Sequence, residues 1–225
     1  MQVPISKRLL ACAEYVRTGD VVADIGCDHG YLGIHLLKSG IADRIIAADI
    51  HEGPLQAARN NAHKFGVGHR MSFHLSDGVQ QIPRDFDVLV CAGMGGDTMV
   101  SILEAEAWLK SSRYRLILQC QSKTPLLRRY LSENGWCIMQ ENALKDGRFL
   151  YTVMEVCWNP DAPRLTVGQW YLPPVLLNNA YPETAEYAFR ILEGLRLAVS
   201  HREDPEKQQA LEELERIIPN EEKSL

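Results

Sequence analysis

Three acids recur at places where a carboxylate can do ligand chemistry. Asp24 closes the run "VVAD", Asp49 closes "RIIAAD", and Asp77 follows "MSFHLS". Each apolar run reads as a strand, so all three acids fall at C-terminal strand ends, where open α/β sheets bind ligands. An acid at the end of the second strand can take ribose hydroxyls, and Asp77 is suitably placed to accept from an adenine amine. Behind Asp24, the stretch "DIGCDHGYL" spaces Gly26 and Gly30 where the backbone must bend sharply and let a ligand approach, just before a helix opening at Tyr31. Together these residues describe a pocket for an adenosine-containing ligand.

The fourth apolar run leads into "CAGMGGDTM". The Asn-Pro-Pro-aromatic box common in amino-group methyltransferases of nucleic acids is absent there. Gly93, Gly95 and Gly96 instead leave bare backbone at the reacting end. A flat base can lie close to it, with Met94 free to pack against that base or against the cofactor. Asp97 is the nearest acid, and two roles stay open for it: a catalytic one, or N-cap of the helix "TMVSILEAEAWL".

Apolar runs and helical patterns alternate in the order of βαβ units, which implies a mainly parallel sheet covered on both faces. Seven runs qualify as strands: "VVADI", "RIIAAD", "MSFHL", "FDVLVCA", "RLILQC", "WCIMQ" and "LYTVMEVCW". The last two are joined by "ENALKDGRF" without a helix, so they should pair as a hairpin and set the seventh strand antiparallel. This is the layout of Rossmann-like, S-adenosylmethionine-dependent methyltransferases of class I. Residues 1–160 form that unit. From residue 161 prolines punctuate the chain, and two helical patterns follow. Tyr187, Ile191, Leu195 and Ala198 share one face, and Leu211, Leu214 and Ile217 form a second stripe after an Asp204 N-cap and Pro205. Residues 161–225 therefore read as a coiled-coil-like helical hairpin, either a terminal clamp on the core or an arm that grips a large substrate.

Composition fits a soluble, cytoplasmic chain. It carries 225 residues, 46% of them hydrophobic, and no apolar stretch near the roughly 20 residues that span a bilayer. The six cysteines are scattered singly, which argues for buried thiols and against a zinc site. Residues 1–160 hold equal numbers of acids and bases, so the whole net charge of −5 falls on residues 161–225. Between Ala107 and Leu150 bases dominate, and this surplus is the expected phosphate-binding surface: Lys123, Arg128, Arg129 and Arg148, joined by Lys7 and Arg8.

Those motifs carry a family resemblance. "SKRL", "DIGCDHGYL", "AGMGGDTM", "LILQ", "ENGW", "DGRFLY" and "WYLPPVLL" before a helical hairpin resemble the bacterial tRNA (adenine(22)-N1)-methyltransferases over nearly the whole chain. Family members often read Pro-Asn where this chain has Cys120 and Gln121, and Ala where it has Gly30. The resemblance implies methyl transfer from S-adenosylmethionine to N1 of an adenosine in tRNA, with no metal, no membrane and no obligate protein partner. It extends the cofactor pocket to Cys27, Asp28, His29, Ile50, Gly78, Ala92 and Gly93, and gives the reacting end to Gly93, Met94, Gly95, Gly96 and Asp97. N1 of neutral adenine already offers a lone pair, so no strong general base is needed, and alignment with charge compensation can supply most of the acceleration. Two other readings remain: a small-molecule methyltransferase with the hairpin as lid or dimer arm, and a non-catalytic cofactor-binding protein that docks partners.

Overall fold

The computed structural model describes residues 2–179 and 181–218. Seven strands form one sheet: β1 (Val21–Ile25), β2 (Arg44–Asp49), β3 (Met71–Leu75), β4 (Val88–Gly95), β5 (Arg115–Ser122), β6 (Trp136–Asp146) and β7 (Phe149–Trp158), in the order β3-β2-β1-β4-β5-β7-β6. β1 through β5 pair in parallel, and β7 runs antiparallel between β5 and β6, as the hairpin reading requires. One expectation is corrected. Most of the segment "ENALKDGRF" is strand, because β6 continues to Asp146 and leaves the turn to Gly147 and Arg148. Gly147, at φ +61°, supplies the left-handed step that a two-residue hairpin turn needs.

Alternation along the strands divides the sheet into two cores. Val22, Ile45, Val88, Val90 and Ile117 face α1 (Lys7–Ala13), α2 (Tyr31–Lys38) and α3 (Glu52–Lys64). Their neighbours Ala23, Ile46, Leu89, Leu116 and Leu118 face α4 (Gly96–Ala105) and α5 (Thr124–Glu133). A parallel sheet buried on both faces reads in sequence as continuous apolar runs, which is what these strands show.

A third core lies beyond the sheet. It gathers α6 (Val167–Tyr171), α7 (Pro174–Leu177), α8 (Glu183–His201) and α9 (Pro205–Ile217) around Leu172, Leu176, Tyr187, Leu192, Leu195 and Leu214, with Ala143 of β6 among them. Asp204 caps α9 by accepting from the Lys207 amide, and Pro205 takes the first helical position, as expected. The stripe on α9 differs in phase: Ile217 is exposed, while Ala210, Leu211 and Leu214 are buried. Residues 219–225, the end of the expected hairpin segment, lie outside the described residues.

Arg128 joins this third core to the sheet. It is fully buried, and its guanidinium forms a two-pronged ion pair with the equally buried Glu141 at 2.6 and 3.1 Å. Its Nη1 donates to the carbonyls of Trp170 and Tyr171. The expectation that Arg128 contacts RNA phosphate is therefore overturned, since none of it reaches solvent. Arg115 is also diverted: it begins β5, at the end opposite the ligand-binding edge, and pairs with Asp20 at 2.5 Å and Glu155 at 3.1 Å. Among the described residues no helix is long and apolar enough to cross a membrane.

Candidate active site

The turn after β1 is built by backbone geometry. Gly26 and Gly30 both sit at φ +70°, and Asp28 at +48°. The amides of Gly26 and Cys27 converge on the Ala48 carbonyl of β2, which pins the turn to its neighbouring strand. Asp49 completes the brace, accepting from the Asp28 amide at 3.2 Å and the His51 amide at 3.0 Å. Gly30 makes the sharp bend expected of it, and because a Cβ there would press on Ala58 Cβ at 3.0 Å, it also lets α2 and α3 approach each other.

A cavity of about 210 Å³ opens at the carboxyl ends of β1 to β4. Among its walls are Gly26, Asp49, Ile50, Asp77, Gly78 and Met94, all expected from the sequence. α4 adds Thr98, Ser101 and Ile102, which sequence reasoning missed. Their signal was the helical spacing after the glycine run, visible only once that helix is known to lean over the pocket. Ile50 is 55% exposed, an aliphatic side chain left uncovered beside two acids unless a flat ligand packs on it. Cys27 belongs to the core under α2, so its side chain is not a pocket contact, while Asp28 and His29 are exposed. Ala92 packs against the core shared with α1 to α3.

Asp24 carries the strongest electrostatic signature. It is 4% exposed, and its Oδ2 has no hydrogen-bond partner. Burial, reinforced by the negative charge of Asp49, pushes its carboxyl up to about 7. An orphaned buried carboxylate oxygen calls for a donor or a cation. The methionine end of S-adenosylmethionine brings an ammonium, its ribose brings hydroxyls for Asp49, and its adenine brings an amine for Asp77, so the residues fit that cofactor. Burial drives the thiols of Cys12, Cys27 and Cys91 well above their ordinary range, which leaves them unreactive.

At the end of β4 the ladder with β5 slips on either side of Met94. Gly93 stands at φ +81°, and its amide donates to Oε1 of the buried Gln119, which also accepts from Arg8 Nη1 at 3.1 Å. A side chain on Gly93 would point at Gln121 Nε2 and Arg8 Nη1, 3.4 and 3.5 Å from its Cβ. Gly95 has ordinary extended geometry at φ −73°, and Gly96 is required because a Cβ would lie 2.5 Å from the Lys123 carbonyl oxygen. Met94 reaches back to Gly26 and lines the cavity. The N-cap of α4 is Gly95, so Asp97 lies inside the first turn. Its carboxylate pairs with Lys123 Nζ at 2.8 Å, which holds it below the usual carboxylate range.

The expected basic surface is divided. Arg129 is held by Glu133 and Glu206, and Lys123 by Asp97, while Arg128 is buried. Lys7 is exposed at the start of α1, and Arg148, on the β6–β7 turn, has no carboxylate partner among the described residues. Arg8 bridges Gln119 and Asp146 beside Gly93. Only Lys7, Arg8, Arg148 and the Lys123 pair thus remain for a ligand at this end.

Comparison with known proteins agrees with this geometry. A family model described as "Methyltransferase domain" matches residues 5–154. The tRNA (adenine(22)-N(1))-methyltransferase of Bacillus subtilis is 33% identical over 154 residues, covering 68% of this chain and 65% of that protein. A putative tRNA methyltransferase of Mycoplasma pneumoniae is 35% identical over 160 residues, 69% of this chain and 72% of its own. Among solved structures, a putative tRNA (m1A22) methyltransferase of Streptococcus pneumoniae in complex with S-adenosyl-L-methionine superposes with a TM-score of 0.82 at 30% identity, covering 93% of this chain and 99% of that one.

Proposed function

Because the chain belongs to the tRNA (adenine(22)-N1)-methyltransferase family and is S-adenosylmethionine-dependent, we propose that it transfers a methyl group to N1 of adenosine 22 in tRNA, in the cytoplasm. The observation that carries this reading is the join at Met94. One strand end lines the cavity bordered by Asp49 and Asp77 and, one residue earlier, opens the Gly93 bulge toward Arg8 and Gln121.

The bound cofactor supplies an electrophilic methyl on a sulfonium. Asp49 and Asp77 would hold the nucleoside end, with Ile50 available to the adenine face, and the buried Asp24 would take the ammonium. The bare backbone at Gly93 leaves room for a planar base. The N1 lone pair of the base would be the nucleophile for that methyl, the carbon–sulfur electron pair remaining with sulfur. The base becomes a cation and no proton needs to leave in that step. Asp97, kept ionised by Lys123, offsets the new charge and is unsuited to the role of general base. Residues 1–160 perform this chemistry, and the acidic segment from residue 161 supports the RNA arm. Labelled S-adenosylmethionine with unmodified tRNA should yield 1-methyladenosine on nucleoside analysis. Label recovered only in small molecules would overturn the tRNA assignment.

A further inference from the structure

The β6–β7 turn carries a series of rings and guanidinium groups that no part of the core needs. Arg148 lies over the Phe149 ring at 4.9 Å, Phe149 stands 6.2 Å from Tyr151, and Arg8 lies over the Tyr151 ring at 5.3 Å. Phe149 and Tyr151 alternate on β7 and therefore share one face of the hairpin. The series ends at Gly93, 3.5 Å from Arg8 Nη1 when measured from the position of a Cβ. Phe86 and Tyr114, by contrast, are buried against each other and against Trp108. The exposed Tyr181 and Phe189 lie far along the chain, just before and within α8, and among the described residues no series of rings and guanidinium groups joins them to Gly93. Phe149 is 51% exposed and joins no core. Arg8 is fixed by Gln119 and Asp146, whereas among the described residues Arg148 pairs with no acid.

Resting on the tRNA reading above, we propose that Phe149, supported by Tyr151, is the stacking platform for an unpaired nucleobase flanking the target adenosine, with Arg148 and Arg8 holding the adjoining phosphates. The chemistry requires such a platform. N1 lies on the Watson–Crick edge, so the target must leave its pair and stack before the methyl can reach it, at a cost of a few kcal/mol. Aromatic rings recover that cost from a neighbouring base without reading its identity, and interleaved arginines add charge complementarity to the backbone. The placement suits the task, since the platform begins at the exposed hairpin turn and ends at the glycine bulge where the acceptor enters. An acidic protein can hold RNA this way with few cations, because they are concentrated where the strand is splayed.

The test is steady-state methylation of unmodified tRNA by wild-type protein, Phe149→Ala and Phe149→Tyr. Phe149→Ala should raise KM for tRNA by about 5- to 150-fold, the value of one base–aromatic stack. KM for S-adenosylmethionine and the melting temperature should stay at wild-type values, and Phe149→Tyr should restore KM for tRNA. An unchanged KM in Phe149→Ala, or failure of the tyrosine to restore it, would overturn the platform while leaving the tRNA reading intact. Absence of transfer to tRNA by the wild-type protein would overturn both.

Discussion

Replacing Asp24 with asparagine should stabilise the free protein and weaken its hold on the cofactor. The carboxyl is raised from 3.8 to about 7 by burial and by Asp49. Between those values the folded protein keeps a proton that the unfolded chain has lost. Stability therefore falls as pH rises from about 4 to about 7 and is level above that. Three pH units correspond to about 4 kcal/mol of penalty at pH 8. Asparagine removes the charge but buries amide hydrogens at a cost of about 1–3 kcal/mol, so a net gain of about 1–3 kcal/mol in urea unfolding is expected at pH 8. Cofactor binding should move the other way. Loss of a charge-assisted contact to the ammonium is worth about 1.5–3 kcal/mol, or about 10- to 150-fold in Kd. Titration calorimetry should show wild-type affinity rising by up to about tenfold per pH unit toward pH 7, with proton release, and Asp24→Asn should be nearly flat. Equal affinity of the two proteins at pH 8, or a flat wild-type profile, would refute the assignment of the orphaned oxygen to the ammonium.

Two further outcomes follow from burial and backbone geometry. Arg128→Met strands the Glu141 carboxylate in a fully buried site, so thermal or urea unfolding should show a loss of about 3–5 kcal/mol; a loss below about 1 kcal/mol would mean that water reaches this pair. Gly26→Ala meets both the strain of φ +70° and a collision with Met94 Cε. Its unfolding should show about 1–2 kcal/mol of destabilisation, and stabilisation by added S-adenosylmethionine should shrink because Met94 is displaced into the cavity.

The legible parts of the fold were those fixed by local pattern. The strand–glycine–helix turn is written within Val21–Leu32, and Asp49 and Asp77 are placed by the ends of two apolar runs, so several walls of the cavity at the strand ends are legible in the sequence. β6 was cut short because Glu141 to Asp146 look polar in isolation. Their partners are Arg128 and the helices that follow residue 166, which no local pattern reveals. Arg128 looks like a surface cation for the same reason, although it falls between Leu127 and Leu131 on the buried stripe of α5, and that phase points to its burial. Phe149 ends the connector "ENALKDGRF" and Tyr151 falls in the apolar run "LYTVMEVCW", so no local pattern joins the two rings. Only the turn at Gly147 and Arg148 shows that this end of the strand projects beyond the sheet's core.

Position-resolved methylation of a tRNA transcript tests the proposed activity most directly. A methyl on N1 blocks Watson–Crick pairing, so primer extension on treated RNA should stop at position 22. The stop should require S-adenosylmethionine and vanish in a transcript carrying guanosine at 22. A stop at another position, or methyl incorporation undiminished by the guanosine substitution, would contradict the proposed reaction.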